Sequence, residues 1–128
     1  MKKDFDRWNK EKIKTDLTKS IRSFHDREIW FIKIGENIGF EQSGKGDQFL
    51  RPVIVYKKFS KNVFIGIPLT TTKRESRFHY TFVFKNKTST AILSQIRLFD
   101  SKRLSYLVGR MSKNDFRKLK EKLIELLQ

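Results

Sequence analysis

The stretch Gly39–Pro52, GFEQSGKGDQFLRP, gathers glycines, carboxylates, amides, Lys45 and Arg51 ahead of an apolar run, VIVY. Loops of this composition display polar groups while the scaffold beneath fixes their position. Elsewhere Arg, Lys, Thr, Gln and Glu recur at the ends of apolar runs, and the chain has no cysteine and only His25 and His79 as imidazoles. Without thiol or metal chemistry, such groups could still cleave RNA, because RNA carries its own nucleophile in the 2′-hydroxyl. A protein then has to align that oxygen with phosphorus, help protons move and stabilise the charge developing on the phosphoryl oxygens. Arginine suits the last task, since its planar donors hold two oxygens at once and its charge persists at physiological pH.

Other chemistries lack their signatures. The chain contains no GxxxxGK[ST], HExxH or GxSxG, and Gly44, Lys45 and Gly46 form only a glycine-rich turn. His25 and His79 lie in different segments with no carboxylate at a ligand spacing, so a protein metal site is not expected. The absence of cysteine excludes a disulfide framework and fits a reducing cytoplasm. The start MKKDFDRWNKEK is too charged for a signal peptide, and the longest apolar runs are far too short to span a bilayer, so a soluble cytoplasmic protein is expected. Lys and Arg number 29 against 14 Asp and Glu, a net charge of +15. A field of that sign concentrates polyanions and strengthens phosphate contacts, which makes nucleic acid the first partner to consider.

The elements that must position these groups are short. Ile13, Leu17, Ile21 and Phe24, extended back through Phe5 and Trp8, follow helical spacing and predict an N-terminal helix over residues 1–24. Strands are predicted at Glu28–Ile34, at Val53–Lys57 entered through Arg51 and Pro52, at Asn62–Leu69, at Phe78–Phe84 and at Thr90–Leu98. Pro68 belongs at an edge or strand end because it lacks a ladder donor. In Phe78–Phe84 the aromatics alternate onto one face. NKTS turns the chain, Tyr106–Val108 adds a short strand that Gly109 breaks, and Gln95 and Arg97 share one face of the Thr90–Leu98 strand. Ser112 with Asp115 resembles a capping box for a C-terminal helix whose stripe is Phe116, Leu119, Leu123, Leu126 and Leu127. The pattern predicts a mainly β fold with helices, a small, partly open β-barrel, with residues 1–24 appended to a domain of residues 25–128.

The order EIWFIKIG, IGFEQSGKG, RPVIVY, IPLT and LSQIRLFDSKRL, closed by a helix, resembles the MazF/PemK toxins of bacterial toxin–antitoxin systems over about residues 27 to 127. That resemblance implies an SH3-like barrel, a homodimer and metal-independent, cofactor-free cleavage of single-stranded RNA to 2′,3′-cyclic phosphate and 5′-hydroxyl ends. It puts the essential arginine at Arg51 and the essential hydroxyl at Thr70, with Thr71 and Thr72 as close alternatives. Glu41 falls on the acidic position of the EQ loop and Gln95 on the amide beside the RNA; Gln42, Lys45 and Arg97 support or grip the strand. An acidic antitoxin is the implied partner.

Taken singly, each residue has an ordinary explanation. Arg51 could be a surface cation before a strand, Thr70 a turn cap, Glu41 a solvated loop charge and Gln95 a partner for a backbone group. Two departures from the family pattern matter: Ser94 stands where many members have an acidic residue, and GDQFL lengthens the join before Arg51. They leave open a non-catalytic module that binds nucleic acid or protein through the same basic surface. A gyrase poison is a further alternative, against which the RP and Thr motifs argue.

Overall fold

Runs such as EIWFIK and VFIGIPLT are dense in β-branched and aromatic residues and carry apolar side chains on both faces, which suits strands covered on both sides. The computed structural model describes residues 23–34 and 50–128. Within them the strands are β1 (Glu28–Lys33), β2 (Leu50–Lys58), β3 (Val63–Thr70), β4 (His79–Phe84), β5 (Lys87–Ile92), β6 (Arg97–Asp100) and β7 (Leu104–Arg110), followed by helix α1 (Lys113–Leu126). All pairings are antiparallel, in the order β4-β5-β3-β2-β1-β7, with β6 also on β3. The result is a curled, open half-barrel with one C-terminal helix. The N-terminal helix expected over residues 1–24 lies outside the described residues except at its end. There Phe24 is not helical; it is fully buried, its ring 5.2 Å from that of Phe64.

Strand alternation divides the interior in two. Ile29, Ile54, Ile67, Leu69, Phe82 and Leu93 pack with Leu119 and Leu123 of α1, while Trp30, Ile32, Val53, Val55, Phe64 and Phe99 form a second cluster with Phe24. Consecutive residues Val53, Ile54 and Val55 thus serve opposite cores, which is why VIVY reads as an unbroken apolar run. Burying Phe24 alone contributes about 1.5–3 kcal/mol.

Several expectations are corrected. Strand β2 begins at Leu50, one residue ahead of the expected entry at Arg51, and runs to Lys58. Thr90–Leu98 is not one strand: β5 stops at Ile92, a 3₁₀ turn takes Leu93–Gln95, and β6 begins at Arg97. The break follows from β3, which pairs through Val63–Gly66 with β6 but through Leu69 and Thr70 with β5. The chain between β5 and β6 must step across that change of partner. Gly109 does not end β7; it lies within it because a Cβ there would come within 2.6 Å of the Phe84 ring. The β4–β5 hairpin turns on Lys85 and Asn86, both at positive φ, as a two-residue type I′ turn demands, so only the Asn of NKTS is in the turn and residues 87–89 already belong to β5. The capping box holds: Ser112 Oγ accepts from the Asp115 N–H at 3.0 Å and donates to Asp115 Oδ2 at 3.1 Å.

Glu28 fastens the start of the half-barrel. Its buried carboxylate accepts from the His25 N–H (2.7 Å), Trp30 Nε1 (3.1 Å) and Arg110 (3.3 Å), and the His25 ring lies 3.3 Å away. Burial pushes this carboxyl up, but the hydrogen bonds from Trp30, His25 and Arg110 outweigh it and hold it below its usual range. A depressed folded-state value means that the stabilisation is present above the unfolded value, near 4.3, and is lost as pH falls through the folded one. Glu28→Ala is expected to cost about 1.5–3 kcal/mol at neutral pH in urea titration. The deficit should shrink on acidification below the ordinary glutamate range.

Candidate functional site

The register of the central strands decides which polar groups meet. β2 and β3 pair Val53 with Pro68, Ile54 with Ile67 and Val55 with Gly66. That pairing ends at Val53 and Pro68, and Arg51 and Thr70 each lie two residues beyond it, at the same end of the two strands. On its other side Arg51 is paired with Ile32 of β1. Directly opposed residues share a face of the sheet, so Ile32 and Arg51 form one rung beside a rung of Trp30, Val53 and Pro68.

Arg51 is only 5% exposed, and its Nε is buried with no hydrogen-bond partner. Burial lowers its pKa from the ordinary arginine value, yet a guanidinium starts so high that it stays protonated. A buried charge without full compensation is costly, and an anion at this rung would supply what Nε lacks. Thr70 ends β3, is half-buried and pairs with Thr90 of β5. Its Oγ1 accepts from the Thr72 N–H at 3.3 Å, which leaves the hydroxyl proton available to donate. Behind it, Thr90 is fully buried, and Thr81 Oγ1 lies 2.9 Å from Thr90 Oγ1 while donating to the Arg74 carbonyl at 3.1 Å. This hydroxyl pair ties the segment after Thr70 to the sheet. Thr71 and Thr72 are exposed beyond the strand end.

Beside this rung, a cleft of about 390 Å³ is lined by Ile34, Pro68, Ser94, Gln95, Ile96, Arg97 and Phe99. It opens where β3 changes partner, and Pro68, which has no N–H to leave unpaired, occupies that interval. Buried Leu93 anchors the 3₁₀ turn through its N–H to the Phe78 carbonyl at 2.8 Å, which sets Ser94 and Gln95 on the cleft wall. The Arg97 guanidinium lies 5.0 Å above the Phe99 ring. Gly66 keeps the floor thin, since a Cβ there would come within 2.6 Å of Val53 Cγ1 and 2.9 Å of the Phe99 ring.

The structure therefore sets Arg51 and Thr70 at the same end of β2 and β3, and Gln95 with Arg97 on the wall of the nearby cleft. Arg51 and Thr70 do not themselves line that cleft. Glu41, Gln42 and Lys45 lie outside the described residues. Ile34, Pro68 and Phe99 were not foreseen as cleft residues; the readable signals were a proline within an apolar strand and an arginine two residues before an aromatic. Among the described residues no three His, Asp or Glu side chains could together hold a metal ion, and no helix is long and apolar enough to cross a membrane.

Comparison with known proteins agrees with this architecture. A MazF (Form-I) structure from Deinococcus radiodurans superposes with a TM-score of 0.68 at 17% identity, covering 83% of this chain and 97% of that one. The Mycobacterium tuberculosis toxin MazF-mt6 gives 0.61 at 15% identity over 79% and 96%. A mycobacterial endoribonuclease in complex with its cognate antitoxin gives 0.62 at 13% identity over 82% and 95%. At such identities the likeness speaks for the fold. No curated protein sequence matches the chain. The family model for the PemK-like, MazF-like toxin of type II toxin–antitoxin systems matches residues 25–127, and the chain belongs to that family.

Proposed function

We propose that this protein is a metal-independent endoribonuclease toxin that cleaves single-stranded RNA in the cytoplasm, giving 2′,3′-cyclic phosphate and 5′-hydroxyl ends. The MazF/PemK family is known for endoribonucleases, and the observation that carries the reading here is the buried Arg51, its Nε unpartnered, at the end of β2 that neighbours the Thr70 end of β3. In the reaction the 2′-oxygen forms a bond to phosphorus as the bond from phosphorus to the 5′-oxygen breaks. The 2′-hydroxyl proton leaves to a base, and a proton reaches the departing 5′-oxygen. Arg51 binds the non-bridging oxygens and neutralises their growing charge, a role that gains strength from its desolvated setting. The Thr70 hydroxyl donates to a phosphoryl oxygen or orients the 2′-hydroxyl. Gln95 and Arg97 hold the strand from the adjoining cleft, with Phe99 beneath Arg97, while Glu41, Gln42 and Lys45 support the site from the loop before Arg51.

The working unit we propose is a homodimer. Its inhibitor is an acidic antitoxin segment that lies over the basic surface and excludes RNA, in keeping with the antitoxin-bound relative described above. Ser94, where many family members are acidic, lies on the cleft wall and bears on which bases are accepted there.

Two measurements test this. Incubation with mixed-sequence single-stranded RNA in EDTA should yield cyclic-phosphate ends, and Arg51→Ala should slow cleavage about 10²–10³-fold; intact RNA with antitoxin-free wild-type protein would show a binding module instead. A charge retained for function and not for stability gives a second signature. Arg51→Met should abolish cleavage while leaving unfolding stability unchanged or raised by about 1 kcal/mol, whereas a loss of several kcal/mol would make Arg51 a structural residue.

A further inference from the structure

We infer that a second cavity, at the end of the half-barrel opposite Arg51, is a binding site for a nucleotide phosphate. It is a shallow, open hollow of about 590 Å³, and its lining includes Arg27, Lys58, Arg110, Lys113, Asp26 and Phe116. Lys58 closes β2 seven residues beyond Arg51, so the two sites are separated by about 23 Å along the strand.

The four cations come from four segments that backbone bonds hold together. The Arg27 N–H donates to the Val55 carbonyl and the Met111 N–H to the Arg27 carbonyl, both at 2.8 Å, which pins the bend at Arg27 (φ 75°) between β2 and the end of β7. The Lys58 N–H donates to Asp26 Oδ1 at 2.7 Å, and Lys58 Nζ donates to the Phe24 carbonyl at 3.0 Å. The nearby carboxylates are occupied. Asp26 serves the Lys58 backbone, and Glu28 is buried among the His25 N–H, Trp30 and Arg110. Among the described residues no carboxylate is ion-paired with Arg27 or Lys113. With Glu28 paired to Arg110 and Asp26 in the lining, the four cations still leave the hollow net positive, and an anion is attracted to it.

The hollow also offers Phe116, a half-buried ring with the Tyr56 ring 5.7 Å away. Cations beside an aromatic face are the pairing that holds nucleotides, phosphate on the charges and base on the ring. A carboxylate peptide would not need the ring. The nucleotide could be a distal unit of the RNA chain engaged at Arg51 or a free mononucleotide. The first source rests on the endoribonuclease reading, and a span of about 23 Å lies within the length that single-strand-binding barrels cover, about 4–16 nucleotides.

Uncleavable RNA, 2′-O-methylated throughout, separates the two readings, because it reports binding whether or not the protein cuts. Oligomers of about four and about twelve nucleotides, and ADP, would be titrated against the full chain, the Arg27→Gln/Lys113→Gln double variant and Lys113→Glu alone. The control is Lys87→Gln/Lys118→Gln, which removes equal charge from exposed positions elsewhere. For an RNA-chain site the double variant should lose about tenfold in affinity for the longer oligomer, its log–log salt slope should fall by about two, and the shorter oligomer and the control should be unaffected. For a free-nucleotide site ADP should bind the wild type and not the variants. Folded variants that bind every probe like the wild type, equal losses in the control, or binding of polyglutamate with neither nucleotide probe would overturn the inference.

Discussion

The register between β2 and β3 is the constraint on which the rest of the molecule depends. Side chains alternate along a strand, so a slip of one residue would carry Arg51 to the other face and exchange the members of both cores. The two cores prevent it: Val53 and Val55 belong to one cluster and Ile54 to the other, and Gly66 admits Val53 and Phe99 at a distance that no side chain would allow. Packing that looks like ordinary core construction therefore fixes the position of a buried guanidinium.

That guanidinium is held against its own solvation. An arginine at 5% exposure with an unpartnered Nε is a poor choice for stability, and proteins keep such groups where binding repays the loss. The change of partner on β3 provides the neighbouring space. Where β6 ends its pairing and β5 begins, the sheet cannot close, and Pro68, Gln95 and Arg97 border the gap. An open half-barrel is thus the form in which strand pairing, a cleft and a desolvated cation can coexist. The family membership and the proposed phosphate chemistry meet at this point.

Much of the fold was legible because it rests on local patterns. EIWFIK, VFIGIPLT and FHYTFVF read directly as strands, and Ser112 and Asp115 marked the final helix. What stayed hidden were long-range consequences. Leu93–Gln95 has strand-like neighbours on both sides, and only the partner change on β3 explains its 3₁₀ turn. Gly109 resembles a strand breaker until Phe84 is seen to require its missing Cβ. Phe24 extends a helical stripe in sequence but fills a hole beside Phe64 in space. For the site, motif order alone pointed to Arg51 and Thr70, since their register, the burial of Arg51 and the cleft beside them arise from residues far apart in the chain.

The central claim is that Arg51 and Thr70 act on the same phosphate as one unit. A double-mutant cycle on cleavage rate, comparing Arg51→Ala, Thr70→Val and both together, tests it most directly. If the claim holds, Thr70→Val adds little once Arg51 is gone, and the double variant cleaves at about the rate of Arg51→Ala alone. Losses that multiply independently would show that the two residues serve separate steps, and their nearness would then have no mechanistic meaning.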